Sequence, residues 1–156
     1  MKKHIISLCT ALLCLFSLST VFAQDPVHWT FKTVKINDTE AELQFQAKID
    51  ANWHLYSQYT QGIEQPITFE FNDSKSFKKV GKVTEPKPEE LTDEFGTAKF
   101  FNNKVTFKQR IKVLDSNPFK ITGKLEGQAC IDGRCIAIEK KFSFDVKDFQ
   151  AASTSK

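Results

Sequence analysis

Two cysteines five residues apart carry the most evident chemistry in this 156-residue chain: Cys130 and Cys135, in the stretch GQACIDGRCIAIE over residues 127–139. Such a pair can close a local disulfide, exchange that disulfide with another thiol, or hold a soft metal ion. The metal reading needs more ligands. Beyond the amino-terminal leader only His28 and His54 remain, neither at metal-ligand spacing from the cysteines, so no metal is expected. A haem-attaching CxxCH, a glycine-rich phosphate loop and a GxSxG elbow are all missing, so no cofactor and no conventional hydrolase or transferase chemistry are expected.

Asp132-Gly133 marks a turn between the cysteines, and the flanking residues alternate as strands. On the incoming side Ile121, Leu125 and Ala129 share one face, while Thr122, Lys124, Glu126, Gln128 and Cys130 share the other. On the outgoing side Ile136, Ile138, Phe142, Phe144 and Val146 alternate with Cys135, Ala137, Glu139, Lys141 and Ser143. Both cysteines take the polar parity, and a four-residue loop would make them the closing pair of a hairpin, face to face outside the core. A disulfide closing so short a loop contributes roughly 2 kcal/mol on the chain-entropy model, against about 4.7 for a 100-residue loop. The hairpin already imposes most of that constraint. On residues alone, structural staple and exchange site both stay open.

The setting is oxidising. The chain starts with Lys2 and Lys3, continues through an apolar run from Ile5 to Leu18 and reaches Val21-Phe22-Ala23, the pattern of a secretory signal peptide over 1–23. That run is too short and wrongly flanked for a membrane span, and Cys14 lacks the small residues that precede a lipidated cysteine, so no span is expected in the mature chain. Cys9 and Cys14 leave with the leader, and the remaining local pair is expected to be oxidised. The 22 Lys and Arg lose Lys2 and Lys3 in the same cut and then nearly balance the 19 Asp and Glu, which argues against a nucleic-acid partner.

The elements that must position the pair are strands. In Glu40–Ile49 the residues Ala41, Leu43, Phe45, Ala47 and Ile49 share one face and Glu42, Gln44, Gln46 and Lys48 the other. Similar runs occur at 29–36, 67–71, 77–83, 105–113, 119–130 and 135–146, separated by Asn- and Asp-rich turns such as Asn102-Asn103. The reading is an all-β, antiparallel, immunoglobulin-like β-sandwich over 24–149, one domain with most of the Phe residues in its core, and a disordered polar tail over 150–156. One connection is long. Glu85 to Gly96 is acidic, contains Pro86 and Pro88, cannot be a central strand, and carries Phe95 between Glu94 and Gly96. The bland account is a solvated loop whose Phe95 tucks back onto the sandwich.

In order and spacing, Asp93-Glu94-Phe95-Gly96, Gly127-Gln128-Ala129-Cys130 with Cys135, and Trp53-His54-Leu55-Tyr56-Ser57 before Pro66-Ile67-Thr68-Phe69 resemble a known family. It is the amino-terminal periplasmic domain of the thiol:disulfide interchange protein DsbD, and the resemblance covers roughly Thr33 to Val146. It implies a periplasmic module whose cysteines cycle between disulfide and dithiol, taking electrons from a thioredoxin-like donor and passing them to exported oxidoreductases. It further implies that Cys135 forms the mixed disulfide and Cys130 resolves it. Phe95 would be an aromatic cap over the pair, flanked by Asp93, Glu94 and Gly96, with Tyr56 and His54 lining the site. The chain ends without the membrane electron carrier and thioredoxin-like domain that follow in that family, so reductant is expected from a separate protein. The alternative is a non-catalytic exported binding module whose hairpin is clipped by a structural disulfide.

Overall fold

Strict alternation around Phe45 produces the centre of the sandwich. In the computed structural model, which describes residues 25–152, Ala41, Leu43, Phe45, Ala47 and Ile49 are all buried, and the intervening polar residues face outward. The expected leader over 1–23 lies outside the described residues, as do residues 153–156. Ten strands form in chain order: β1 (Val27–Asn37), β2 (Glu40–Ile49), β3 (His54–Tyr56), β4 (Thr68–Phe71) and β5 (Phe77–Thr84), then β6 (Glu89–Asp93), β7 (Gly96–Phe101), β8 (Lys104–Val113), β9 (Phe119–Ile131) and β10 (Arg134–Val146). No helix occurs among the described residues.

The strands make two antiparallel sheets. One has the order β1-β2-β8-β5; the other runs β10-β9-β3-β7-β6, with β4 also paired to β9. One edge of β9 is therefore divided lengthwise, Gly123 to Glu126 pairing with β4, and Ala129 and Cys130 with β3. The lower part of β9 belongs to the sandwich and its upper part to the site.

Between the sheets lies a phenylalanine cluster. Phe45 is fully buried and meets Phe69, Phe142 and Phe144 with ring centroids 4.8, 5.0 and 4.9 Å away, all edge to face. That is the favoured geometry for aromatic pairs, and emptying such a position costs about 3–5 kcal/mol. Phe107 and Phe101 extend the cluster toward the end of the molecule that carries the cysteines.

Three strands are not marked by alternation in the sequence: β3, β6 and β7. The stretch from Glu85 to Gly96, read as a loop, contains β6 and leads into β7, which pair as a hairpin from Glu89↔Phe100 to Asp93↔Gly96. Pro86 and Pro88 precede it, and β6 takes the sheet edge, where only one side of the backbone needs a partner. Of the tail expected from residue 150, Gln150 donates its N–H to the Asp38 carbonyl (2.7 Å) and Ala152 to that of Val113 (2.8 Å). Phe149 is buried just before them, so the chain is tied to the sandwich as far as Ala152.

Candidate functional site

The β9–β10 hairpin turns on Asp132-Gly133 alone. Both residues have left-handed backbone (φ 47° and 74°), which suits Asp and Gly and makes a tight two-residue turn whose twist matches the strands. The four-residue loop expected from sequence is therefore shorter, with Ile131 and Arg134 already paired. Register continues without a shift through all 13 residues of each strand, and Cys130 faces Cys135 one pair below the turn. Their Cα atoms are 4.1 Å apart, as in a non-hydrogen-bonded cross-strand pair, and the sulfurs are joined in a disulfide.

The two sulfur-bearing residues are not equivalent. Cys130 is only 4% exposed, whereas Cys135 is open to solvent. Cys130 lies outside the hydrophobic core cluster, in agreement with its polar parity. It is covered from the side, because β3 pairs along the free edge of β9 and places His54 opposite Cys130.

Facing residues on neighbouring strands project to the same side of a sheet, so Cys135, Cys130 and His54 form one row on the outer face. Asn102, at the turn from β7 to β8, completes it by hydrogen-bonding His54 Nδ1 through Oδ1. Its Nδ2 donates to Glu89 Oε1 on β6 at 2.9 Å. Phe100 packs on the imidazole with ring centroids 4.8 Å apart. Tyr56, one pleat along β3 from His54 and opposite Phe100, is nearly buried; its hydroxyl pKa is raised by burial and, less, by the Glu64 carboxylate.

Asp93, Glu94, Phe95 and Gly96 sit together at the β6–β7 tip. Asp93 accepts a hydrogen bond from the Phe95 N–H at 2.8 Å, closing the turn. The Phe95 side chain is 62% exposed, so it does not tuck into the sandwich. Gly96 has φ 136°, and a Cβ there would stand 3.0 Å from the Gln61 carbonyl oxygen and 3.2 Å from Gly62 Cα. The tip thus rests on the segment after β3. Ser57, Gln61 and Thr60 extend that contact: the first two donate N–H groups to the Lys99 and Thr97 carbonyls (2.8 and 2.9 Å), and Thr60 Oγ1 accepts the Lys99 N–H (3.0 Å). Fully buried Ser57 donates its hydroxyl to Glu85, which also accepts the Gln58 N–H at 3.1 Å and so pins the start of the β6 segment.

The structure therefore gathers Cys130, Cys135, His54 and Tyr56 on one face, and holds Asp93 to Gly96 on a separate hairpin. Asn102 and Glu89 were not singled out by sequence. Asn102 reads there as one half of an Asn-Asn turn, and only the pairing of β3 with β7 brings it to His54.

A family model described as "Thiol:disulfide interchange protein DsbD, N-terminal" matches residues 20–147. No curated protein matches in sequence. Among solved structures, the N-terminal periplasmic domain of ScsB from Proteus mirabilis is similar at 16% identity and TM-score 0.54, over 83% of this chain and 49% of that one. The chain thus spans about half the length of that ScsB structure. The reduced DsbD N-terminal domain of Neisseria meningitidis aligns at 18% identity and TM-score 0.49, over 76% of this chain and 86% of that one. The DsbD N-terminal domain in complex with the PilB N-terminal domain, also from Neisseria meningitidis, aligns at 16% identity and TM-score 0.46, over 74% of this chain and 80% of that one.

Proposed function

The chain belongs to the family of DsbD N-terminal domains, and on that premise we propose that it is a periplasmic thiol–disulfide exchange module. Cys130 and Cys135 cycle between disulfide and dithiol and relay reductant between thioredoxin-like proteins, one of them fed by a separate membrane electron carrier. The supporting observation is the asymmetry of the pair: Cys135 is an exposed residue, whereas Cys130 is only 4% exposed and is flanked by β3. An incoming thiolate can reach Cys135 and not Cys130, so Cys135 forms the mixed disulfide and Cys130 is the leaving group, or in the reverse direction the resolving thiol. A structural staple needs no such asymmetry, and its stabilising effect in so tight a hairpin is small.

Phe95 acts as the gate in this reading. Its exposed ring sits on a hairpin held to the sheet by backbone hydrogen bonds and one buried anchor, and a docking protein can displace it more readily than a core residue. Asp93 and Gly96 shape the turn that presents it, and Glu94 is its acidic neighbour.

The test is the equilibrium reduction potential of the mature domain in a thiol redox buffer. A value between about −270 and −120 mV is that of working exchange proteins, and is the result expected. A value below about −300 mV marks an inert bridge and leaves a non-catalytic binding module.

A further inference from the structure

The row of Cys135, Cys130 and His54 continues from His54 into a hydrogen-bonded chain whose polarity can be assigned. The Glu89 carboxylate can only accept, so the Asn102 atom at 2.9 Å from it is the amide nitrogen, and Oδ1 faces the imidazole. An amide oxygen also only accepts, so His54 Nδ1 carries the hydrogen. The neutral ring then has its lone pair on Nε2, and Phe100 against the ring helps fix its plane.

We propose that His54 is the proton acceptor and donor for Cys130, with Asn102 and Glu89 as positioning residues. The inference deepens the exchange reading above by assigning the proton of its buried thiol. Cys130 is screened from bulk water and loses or regains a proton in every cycle, and the strand register supplies an imidazole as its cross-strand neighbour.

With glutathione disulfide as oxidant the steps balance. The Cys135 thiolate attacks glutathione disulfide, forming a Cys135–glutathione bond and expelling one glutathione thiolate. Cys130 then gives its proton to His54 Nε2, its thiolate attacks Cys135 Sγ, and the second glutathione leaves as a thiolate that takes up the proton. Two electrons pass from the cysteine pair to glutathione disulfide. In reduction the same imidazolium protonates the departing Cys130.

The groups facing the imidazole are Glu89 through Asn102, Tyr56 along β3 and the cysteines on β9 and β10, with Asp132 and Arg134 at the turn beyond. Burial, and less the Glu64 carboxylate, raise the Tyr56 hydroxyl pKa, away from the imidazole range.

The experiment follows ring closure. Reduced mature domain is mixed with glutathione disulfide, quenched in acid, and the Cys135–glutathione adduct is followed by mass spectrometry from pH 5.5 to 9.5. An ordinary thiol is only about 3% ionised at pH 7, so losing the acceptor should slow closure there by about tenfold. His54→Gln keeps a hydrogen-bonding side chain without a titrating group, and should accumulate adduct at pH 7 while recovering the wild-type rate near pH 9. Asn102→Ala should fall between the two, since Phe100 still packs on the ring. Wild-type closure in His54→Gln at every pH would overturn the proposal. So would a slowing by one constant factor across the range, which is what a purely structural role gives. Ring closure involves only the domain's own sulfurs, so its outcome is separable from the redox potential. An inert potential with a His54-dependent profile sinks the relay and keeps the proton acceptor; the converse keeps the relay and sinks His54.

Discussion

Cys130 and Cys135 are chemically alike and structurally unlike, and their difference is measurable. Cys130→Ser leaves the exposed Cys135, and Cys135→Ser leaves the thiol that is 4% exposed. Alkylation of the first variant by iodoacetamide should be at least about tenfold faster than of the second, since the attacking thiolate must be both formed and reachable. Phe95→Ala should speed reduction of the wild-type disulfide by a small thiol severalfold. The same change should move stability by no more than about 0.5 kcal/mol, because the ring is 62% exposed. An unchanged reduction rate would remove the gate. At this scale the cysteines stand out by type and spacing, whereas His54 and Tyr56 enter only through the family resemblance; the strand register sets the four on one face. The sequence was silent on Asn102 and Glu89, which reach the site only through pairing between strands that are distant in the chain.

The β6–β7 hairpin is held to the molecule by few contacts, and Gly96 is one of them. Gly96→Ala puts a methyl group into left-handed backbone 3.0 Å from the Gln61 carbonyl and should loosen the tip. Amide exchange at Gln61, which donates to Thr97, should quicken by about tenfold while exchange in β2 and β8 holds. The long, regularly alternating strands β2, β8, β9 and β10 were legible because burial on one face writes a period of two into them. β3 has only three residues between turns, too few to show a period. All five residues of β6 are exposed, so nothing in their hydrophobicity distinguishes a strand from a solvated loop; its pairing is a backbone matter.

For the whole molecule, stability should decline in acid before the core is touched. Hydrogen bonds from Arg110 and then Asn37 hold the Glu40 carboxyl below its usual value of 4.5. Burial pushes Glu42 up, yet hydrogen bonds from Gln44 and Lys108 outweigh it and leave Glu42 lowered as well. A carboxyl whose folded pKa is depressed stabilises the fold above its unfolded pKa and loses that contribution as pH falls through the folded value. The Tm should therefore be flat from about pH 8 to 5 and fall progressively below about pH 4.5. Replacing Glu40 and Glu42 with Gln should lower the plateau slightly and flatten the fall. The sandwich class could be read from the spacing of alternating runs. The order of strands within each sheet could not, because β9 takes both β3 and β4 on one edge and only tertiary packing decides how that edge is divided.

The uninterrupted register of β9 and β10 bears on how a partner would know what it has met. Thirteen facing pairs fix the positions of the two sulfurs whether or not a bond joins them. Oxidised and reduced forms should then have nearly superimposable backbones, with amide chemical-shift changes confined to the hairpin end and its β3 neighbour. A docking protein cannot sort the two states by outline. The signal available to it is local: the presence of two hydrogens and the charge one sulfur can carry.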